Sequence, residues 1–148
     1  MAAWFKTSRK DRFWRRLFDK AYDKGYALGM GGDYRGKSWQ GELCLEINAH
    51  WNNSGVPVAD GKWHHVVGTF DGSEQRIYLD GQPVGKPTRW KGAPARNTFD
   101  LSIGLARSTP DEGAGFGKAS FDGLIDEAMV FNRALSATEI AALYESQK

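Results

Sequence analysis

The side chains able to do chemistry in this chain are few, and their spacing keeps them apart. Asp126 and Glu127 are adjacent, so in an extended strand they face opposite sides. They do not make the pair of opposed acids, about 5–10 Å apart, that hydrolysis of a glycosidic bond needs. His64 and His65 fail as a zinc pair for the same reason. Both read as histidines satisfied by hydrogen bonds beside a core Trp63. No Ser-His-Asp or Cys-His arrangement stands out, and there is no nucleophile elbow. Gly29-Met30-Gly31-Gly32 lacks the following Lys and helix of a phosphate loop and reads as a turn. Cys44 is the single cysteine, so no internal disulfide forms. Between Leu43 and Leu45 it reads as a buried thiol.

What remains is aromatic and amide chemistry. Trp39, Trp51 and Trp90 fall in segments expected to be loops, among polar residues. Flat rings stack on the C–H faces of sugars, while amide, carboxylate and guanidinium groups hold hydroxyls. His50-Trp51-Asn52-Asn53 is the strongest candidate for such contacts. Trp39 with Tyr34, and Trp90 with Arg89, are secondary candidates. The competing reading makes these Trp satellite core, because Trp is usually well buried. Asp126 is a candidate metal ligand. Alternation puts it on one strand face with Leu124, Ala128 and Val130. An acid among apolar neighbours needs a cation or hydrogen bonds, and its hard oxygens suit Ca²⁺.

The elements that must position these groups are mostly strands. Six Trp and 18 Gly in 148 residues suit short strands and tight turns, and the length suits one domain, 1–148. Strand signals fall at Ala3–Lys6, Trp14–Phe18, Tyr26–Met30, Glu42–Asn48, Trp63–Phe70, Gln75–Leu79, Leu101–Leu105 and Phe121–Phe131. Asp71-Gly72-Ser73-Glu74 reads as a hairpin connection, and Asp80-Gly81 as a tight turn needing positive φ. His50–Lys62, Lys86–Asn97 and Ala106–Ser120 read as loops. Ser136-Ala137-Thr138-Glu139 is a capping box opening a helix over 136–146, with Ile140, Leu143 and Tyr144 on one apolar stripe.

A net charge of +2 argues against an electrostatically driven nucleic-acid binder. The basic residues Arg9, Lys10, Arg12, Arg15, Arg16, Lys20 and Lys24 are interrupted by Asp11, Asp19 and Asp23 and read as a solvated edge and loop. No stretch approaches the ~18 apolar residues that insert into a membrane, and the first residues lack a signal peptide's apolar segment.

Two blocks are more specific. Asp60-Gly61-Lys62-Trp63-His64-His65-Val66-Val67-Gly68-Thr69-Phe70-Asp71-Gly72 is followed by Ile77-Tyr78-Leu79-Asp80-Gly81. Phe121-Asp122-Gly123-Leu124-Ile125-Asp126-Glu127 leads into Phe131-Asn132-Arg133-Ala134-Leu135-Ser136. In order and spacing these resemble the laminin G-like family of the concanavalin A-like lectin and glucanase superfamily. Ala3–Thr7 and Gly25–Gly29 extend the resemblance over nearly the whole chain. It implies an all-β jelly-roll sandwich of two antiparallel sheets with a short C-terminal helix. It further implies a binding module of a longer extracellular or secreted protein, with a glycan or protein ligand. Calcium is bound by many members, often near the Asp matching Asp126. The superfamily's glucanases carry Glu-x-Asp-x-x-Glu on a strand, and this chain has no such match. The family usually has one or two strands before Ala3-Trp4-Phe5. Their lack leaves an expected open sheet edge, which a homodimer or a parent protein would cover.

Overall fold

The computed structural model describes residues 1–21, 24–105 and 120–148. Strands are numbered in chain order. One sheet is built from β1 (Ala2–Lys6), β8 (Trp63–Phe70), β9 (Glu74–Leu79), β10 (Gln82–Arg89) and β12 (Leu124–Met129), ordered β10-β9-β8-β1-β12. The other is built from β2 (Arg16–Lys20), β3 (Tyr26–Met30), β6 (Glu42–Ile47), β7 (His50–Pro57) and β11 (Ser102–Ile103), ordered β11-β2-β3-β6-β7. β4 (Asp33–Tyr34) and β5 (Lys37–Ser38) form a small hairpin. The paired strands run antiparallel, and the whole is a jelly-roll sandwich.

Period-two alternation produces the two layers. Ala3 and Phe5 of β1 turn inward with Val66 and Ile77, and meet Phe18, Leu28, Leu43 and Leu45 from the second sheet. Their neighbours Ala2, Val67 and Tyr78 turn outward and are covered by Ile140. Ile140 belongs to α1 (Ala137–Gln147), whose start is the expected capping box: Ser136 Oγ accepts from Glu139 N, and the Glu139 carboxylate accepts from Ser136 N. Burying Ile140 contributes about 2 kcal/mol toward docking the helix. The Asp80-Gly81 turn joins β9 to β10 with positive φ at both residues, 50° and 79°. A Cβ on Gly81 would stand 3.1 Å from the Tyr144 ring.

Several sequence expectations are corrected. His50–Pro57 is a strand, not the start of a loop, and Gln82–Arg89 is a strand where the polar loop had been expected to begin at Lys86. Both lie at the ends of their sheets, where one-sided pairing tolerates the Pro and Gly that hid them. β1 is not an open edge, because β8 and β12 pair with it on either side. Arg15 and Arg16 are not solvated. Arg15 bonds Asp11 at 2.5 Å and the Ser120 carbonyl at 2.6 Å, and Arg16 faces Glu46 at 3.6 Å with both side chains buried. The expected strand over Leu101–Leu105 shortens to Ser102–Ile103. The loop expected over Ala106–Ser120 lies, apart from Ser120, outside the described residues.

Candidate functional site: a groove at the seam of the sheets

β7 and β10 end their respective sheets, and they meet. Gly85, at φ +69°, makes the meeting possible. A Cβ there would lie 2.8 Å from the Asn53 carbonyl oxygen and 3.0 Å from that of Ser54. Only glycine allows so close an approach in that conformation. Thr88 Oγ1 then donates to the Trp51 carbonyl at 3.0 Å, tying the two strands together.

A shallow groove runs along this seam. Trp39, Ser38, Glu42 and Asn53 stand on one side, and Lys86 and Thr88 on the other. Asn52 also contributes to it. Its Nδ2 donates to the Gln75 carbonyl at 2.8 Å, which fixes the amide plane. The Oδ1 atoms of Asn52 and Asn53 are buried and accept no hydrogen bond among the described residues. A buried acceptor without a donor is unfavourable unless a ligand or water supplies one. Glu42 is the one carboxylate among the groove's lining residues.

The structure separates the residues that the sequence groups. Alternation along β7 splits His50-Trp51-Asn52-Asn53, with Trp51 opposite Glu46 and Asn52 opposite Leu45. Trp51 is packed against Trp14, ring centroids 5.1 Å apart, and takes Tyr34 edge-on at 4.9 Å. Its indole N–H donates to the Glu46 carboxylate. Trp51 is thus engaged internally. Trp39 touches the same cluster, 6.3 Å from Trp51, and still lines the groove. His50 stacks on Trp90 at 4.5 Å, and Trp90 on Phe70 at 4.4 Å, a column against the core at one end of the sandwich. Arg89 is not with Trp90 but pairs with Glu74 at 2.7 Å.

Asp126 is placed by a bulge. Trp4 pairs with Asp126 and Ala2 with Met129, so one extra residue sits between, and Glu127 takes φ +47°. The bulge reverses the alternation. Asp126 shares the outer face with Met129, not with Ala128 and Val130, and it and Glu127 line one hollow together. Among the described residues no cluster of three His, Cys, Asp or Glu surrounds a metal-sized space.

The remaining candidates fall into place. His64 lies between Asp80 and Asp60, at 2.8 and 3.2 Å, and so is satisfied by hydrogen bonds. His65 is not. It is buried with neither ring nitrogen bonded among the described residues, and it packs on Trp4 and Tyr144. Burial pushes its pKa down, and Asp80 offsets this only in part. Trp63 is not core, being 41% exposed at the start of β8. Cys44 is buried, and burial followed by the neighbouring Glu46 pushes its thiol pKa up, out of reach of ionisation. Sequence reasoning missed Ser38, Glu42, Lys86 and Thr88. The alternation of Lys86 and Thr88 was the available signal, obscured by Pro83, Gly85 and Pro87.

The two-layer antiparallel jelly roll is the fold of the concanavalin A-like class. The chain belongs to the concanavalin A-like lectin/glucanases superfamily, laminin G type, whose family model matches residues 1–141. Among curated proteins, no sequence matches. Solved structures show the same fold. A Bacteroides ovatus protein inferred to bind carbohydrate aligns with TM-score 0.75 and 17% identity, over 95% of this chain and 38% of its own. Domain 4 of AbnA, a GH43 extracellular arabinanase from Geobacillus stearothermophilus solved with arabinotriose, aligns with TM-score 0.65 and 17% identity, over 97% of this chain and 64% of its own. A heptameric SAP-like pentraxin from Limulus polyphemus gives TM-score 0.67 and 19% identity, over 97% of this chain and 67% of its own. The chain therefore spans less than two thirds of the first two of these relatives.

Proposed function

We propose that this chain is a non-catalytic carbohydrate-binding module of a larger extracellular protein, with glycan lying along the β7–β10 groove. The observation that carries this reading is the buried amide oxygen of Asn53, which accepts no hydrogen bond among the described residues, in a groove that Trp39 also lines. Sugar hydroxyls supply the missing donor, and the Trp39 ring supplies a stacking face. Ser38, Thr88, Lys86 and Glu42 add groups that fix orientation. A lining with one carboxylate does not offer the acid pair of a glycosidase. The arabinotriose-bound relative shares the fold and so supports the kind of ligand, not its identity. A glycan array on the wild type, Trp39→Ala and Asn53→Ala tests it. Specific glycan binding that either variant weakens about tenfold or more, with unchanged melting, is expected. An array with no binder, or variants that bind as the wild type does, would reject the groove.

One observation favours a protein partner instead. Leu101, Ile103 and Leu124 are 38%, 51% and 57% exposed at β11 and β12, which are end strands of their sheets among the described residues. Strand addition or homodimerisation would cover them. Light scattering would then find a dimer that Leu124→Lys dissolves. Calcium enters this picture through Asp126, whose Oδ1 accepts the neighbouring Glu127 amide and no other donor among the described residues. A rise in melting temperature with calcium, lost in Asp126→Asn, would establish it.

A further inference from the structure

On the outer face of the first sheet, sharing no lining residue with the β7–β10 groove, a second hollow forms between β1, β8, β12 and the end of α1. Its walls are aromatic. Trp4 stacks on Tyr144 with centroids 5.6 Å apart and an interplanar angle of 23°. The Trp4 indole N–H donates to Gln147 Oε1 at 3.1 Å, which fixes the indole in place. Trp63, the exposed tryptophan, forms the rim. Behind Trp4 and Tyr144 lies the buried, unbonded His65 ring, so both walls rest on packed side chains.

The remaining lining is anionic. Asp126 and Glu127 both border the hollow, brought to it by the bulge described above. The left-handed backbone of Glu127 is uncommon for a residue with a long side chain. Such conformations persist where the surrounding structure holds them, and they concentrate at functional positions. Among the described residues, no basic group stands within ion-pair distance of either acid. Lys6 shares this sheet face, in register with Leu124 and Trp63, and forms an ion pair with neither acid among the described residues.

Aromatic faces and unpaired carboxylates in one hollow select an organic cation. Ring quadrupoles attract the charge and the carboxylates supply hydrogen-bond acceptors. The chain provides its own example: the Lys148 ammonium lies 5.4 Å from the Tyr144 ring centroid, at the edge of this hollow. It is held there with Glu145, at 3.6 Å, and leaves Asp126 and Glu127 without a basic partner among the described residues. We infer that the hollow bounded by Trp4, Trp63, Tyr144, Asp126 and Glu127 receives a lysine side chain of a partner protein, whose ammonium sits between the rings and the two acids.

The test is a titration of the full chain, in chelator, with Nα-acetyl-lysine amide and with its uncharged norleucine analogue. The indole N–H signal of Trp63 is followed by NMR. Saturable movement with the lysine compound is expected, with the norleucine compound at least about tenfold weaker. Asp126→Asn with Glu127→Gln, both exposed side chains, is expected to weaken binding about tenfold while leaving melting unchanged. Trp63→Ala is expected to remove it, and Lys148→Ala to strengthen it by removing the competing ammonium. Equal binding of the norleucine compound would mean a plain apolar patch and overturn the inference. So would the absence of saturation by about 50 mM. A repeat with calcium in place of chelator gives the last arm: calcium that blocks the lysine compound would assign the acids to a metal and overturn the inference. None of these outcomes depends on the glycan groove, which lies at the seam of β7 and β10.

Discussion

Two of the aromatic clusters among the described residues differ in what their polar neighbours do. Around Trp51, the rings of Trp14, Trp39 and Tyr34 close on one another, and Glu46 beneath them is engaged by Arg16 and by the Trp51 indole. Around Trp63, the rings leave a hollow, and Asp126 and Glu127 face it without a basic partner among the described residues. Composition alone does not distinguish the two. The lesson is that a tryptophan among polar residues becomes core or surface according to whether its neighbours complete each other's charges and hydrogen bonds.

That contrast can be broken by stability measurements. The largest effect is expected at Glu46. Glu46→Ala removes a carboxylate facing the buried Arg16 and the Trp51 acceptor, a loss of about 4 kcal/mol by denaturant unfolding. Trp51→Ala follows at about 3 kcal/mol, from the lost packing against Trp14 and Tyr34. Trp63→Ala, the counterpart in the open cluster, should change stability by no more than about 0.5 kcal/mol. If Trp51→Ala were equally mild, the closed cluster would have to be reread as a ligand platform. Gly81→Ala, which forces a Cβ toward the Tyr144 ring at a positive φ, should lose about 1 kcal/mol and loosen the helix side of the open cluster.

A pH dependence is expected on the closed side, in the loop before β2. Burial pushes the Asp11 carboxyl up, but the guanidinium groups of Arg15 and Arg9 outweigh it and hold its pKa at about 2, below the ordinary 3.8. A carboxyl with a depressed native pKa stabilises the fold above its unfolded value and loses that contribution as it protonates. Melting temperature should therefore fall as pH drops from about 4 toward 2. Asp11→Asn should flatten that part of the profile. A profile unchanged by the substitution would show that the Asp11–Arg15 contact of 2.5 Å adds nothing to stability.

Much of the fold was legible because local signals agreed with it. The alternation of Glu42–Ile47 and Trp63–Phe70, the Asp80-Gly81 turn and the Ser136 capping box each matched what formed. β7 and β10 were not legible. Asn52, Asn53, Gly55 and Pro57 in one, and Pro83, Gly85 and Pro87 in the other, are poor strand formers, and each strand exists because a paired neighbour holds it. The candidate groove was legible only in Trp39, Asn52 and Asn53, since its other wall belongs to the strand that was hidden.

The sequence by itself determined the layers, the main turns and the helix, because alternation, glycine turns and caps act over a few residues. Only the tertiary structure decided which aromatic rings close and which remain open. That choice depends on contacts across great separations, such as Trp4 with Gln147, 143 residues apart, and Thr88 donating to the Trp51 carbonyl, 37 residues away. It also depends on one inserted residue at Glu127, which turns Asp126 to share a face with Met129. Local spacing has no means of encoding a partner that arrives from the other end of the chain.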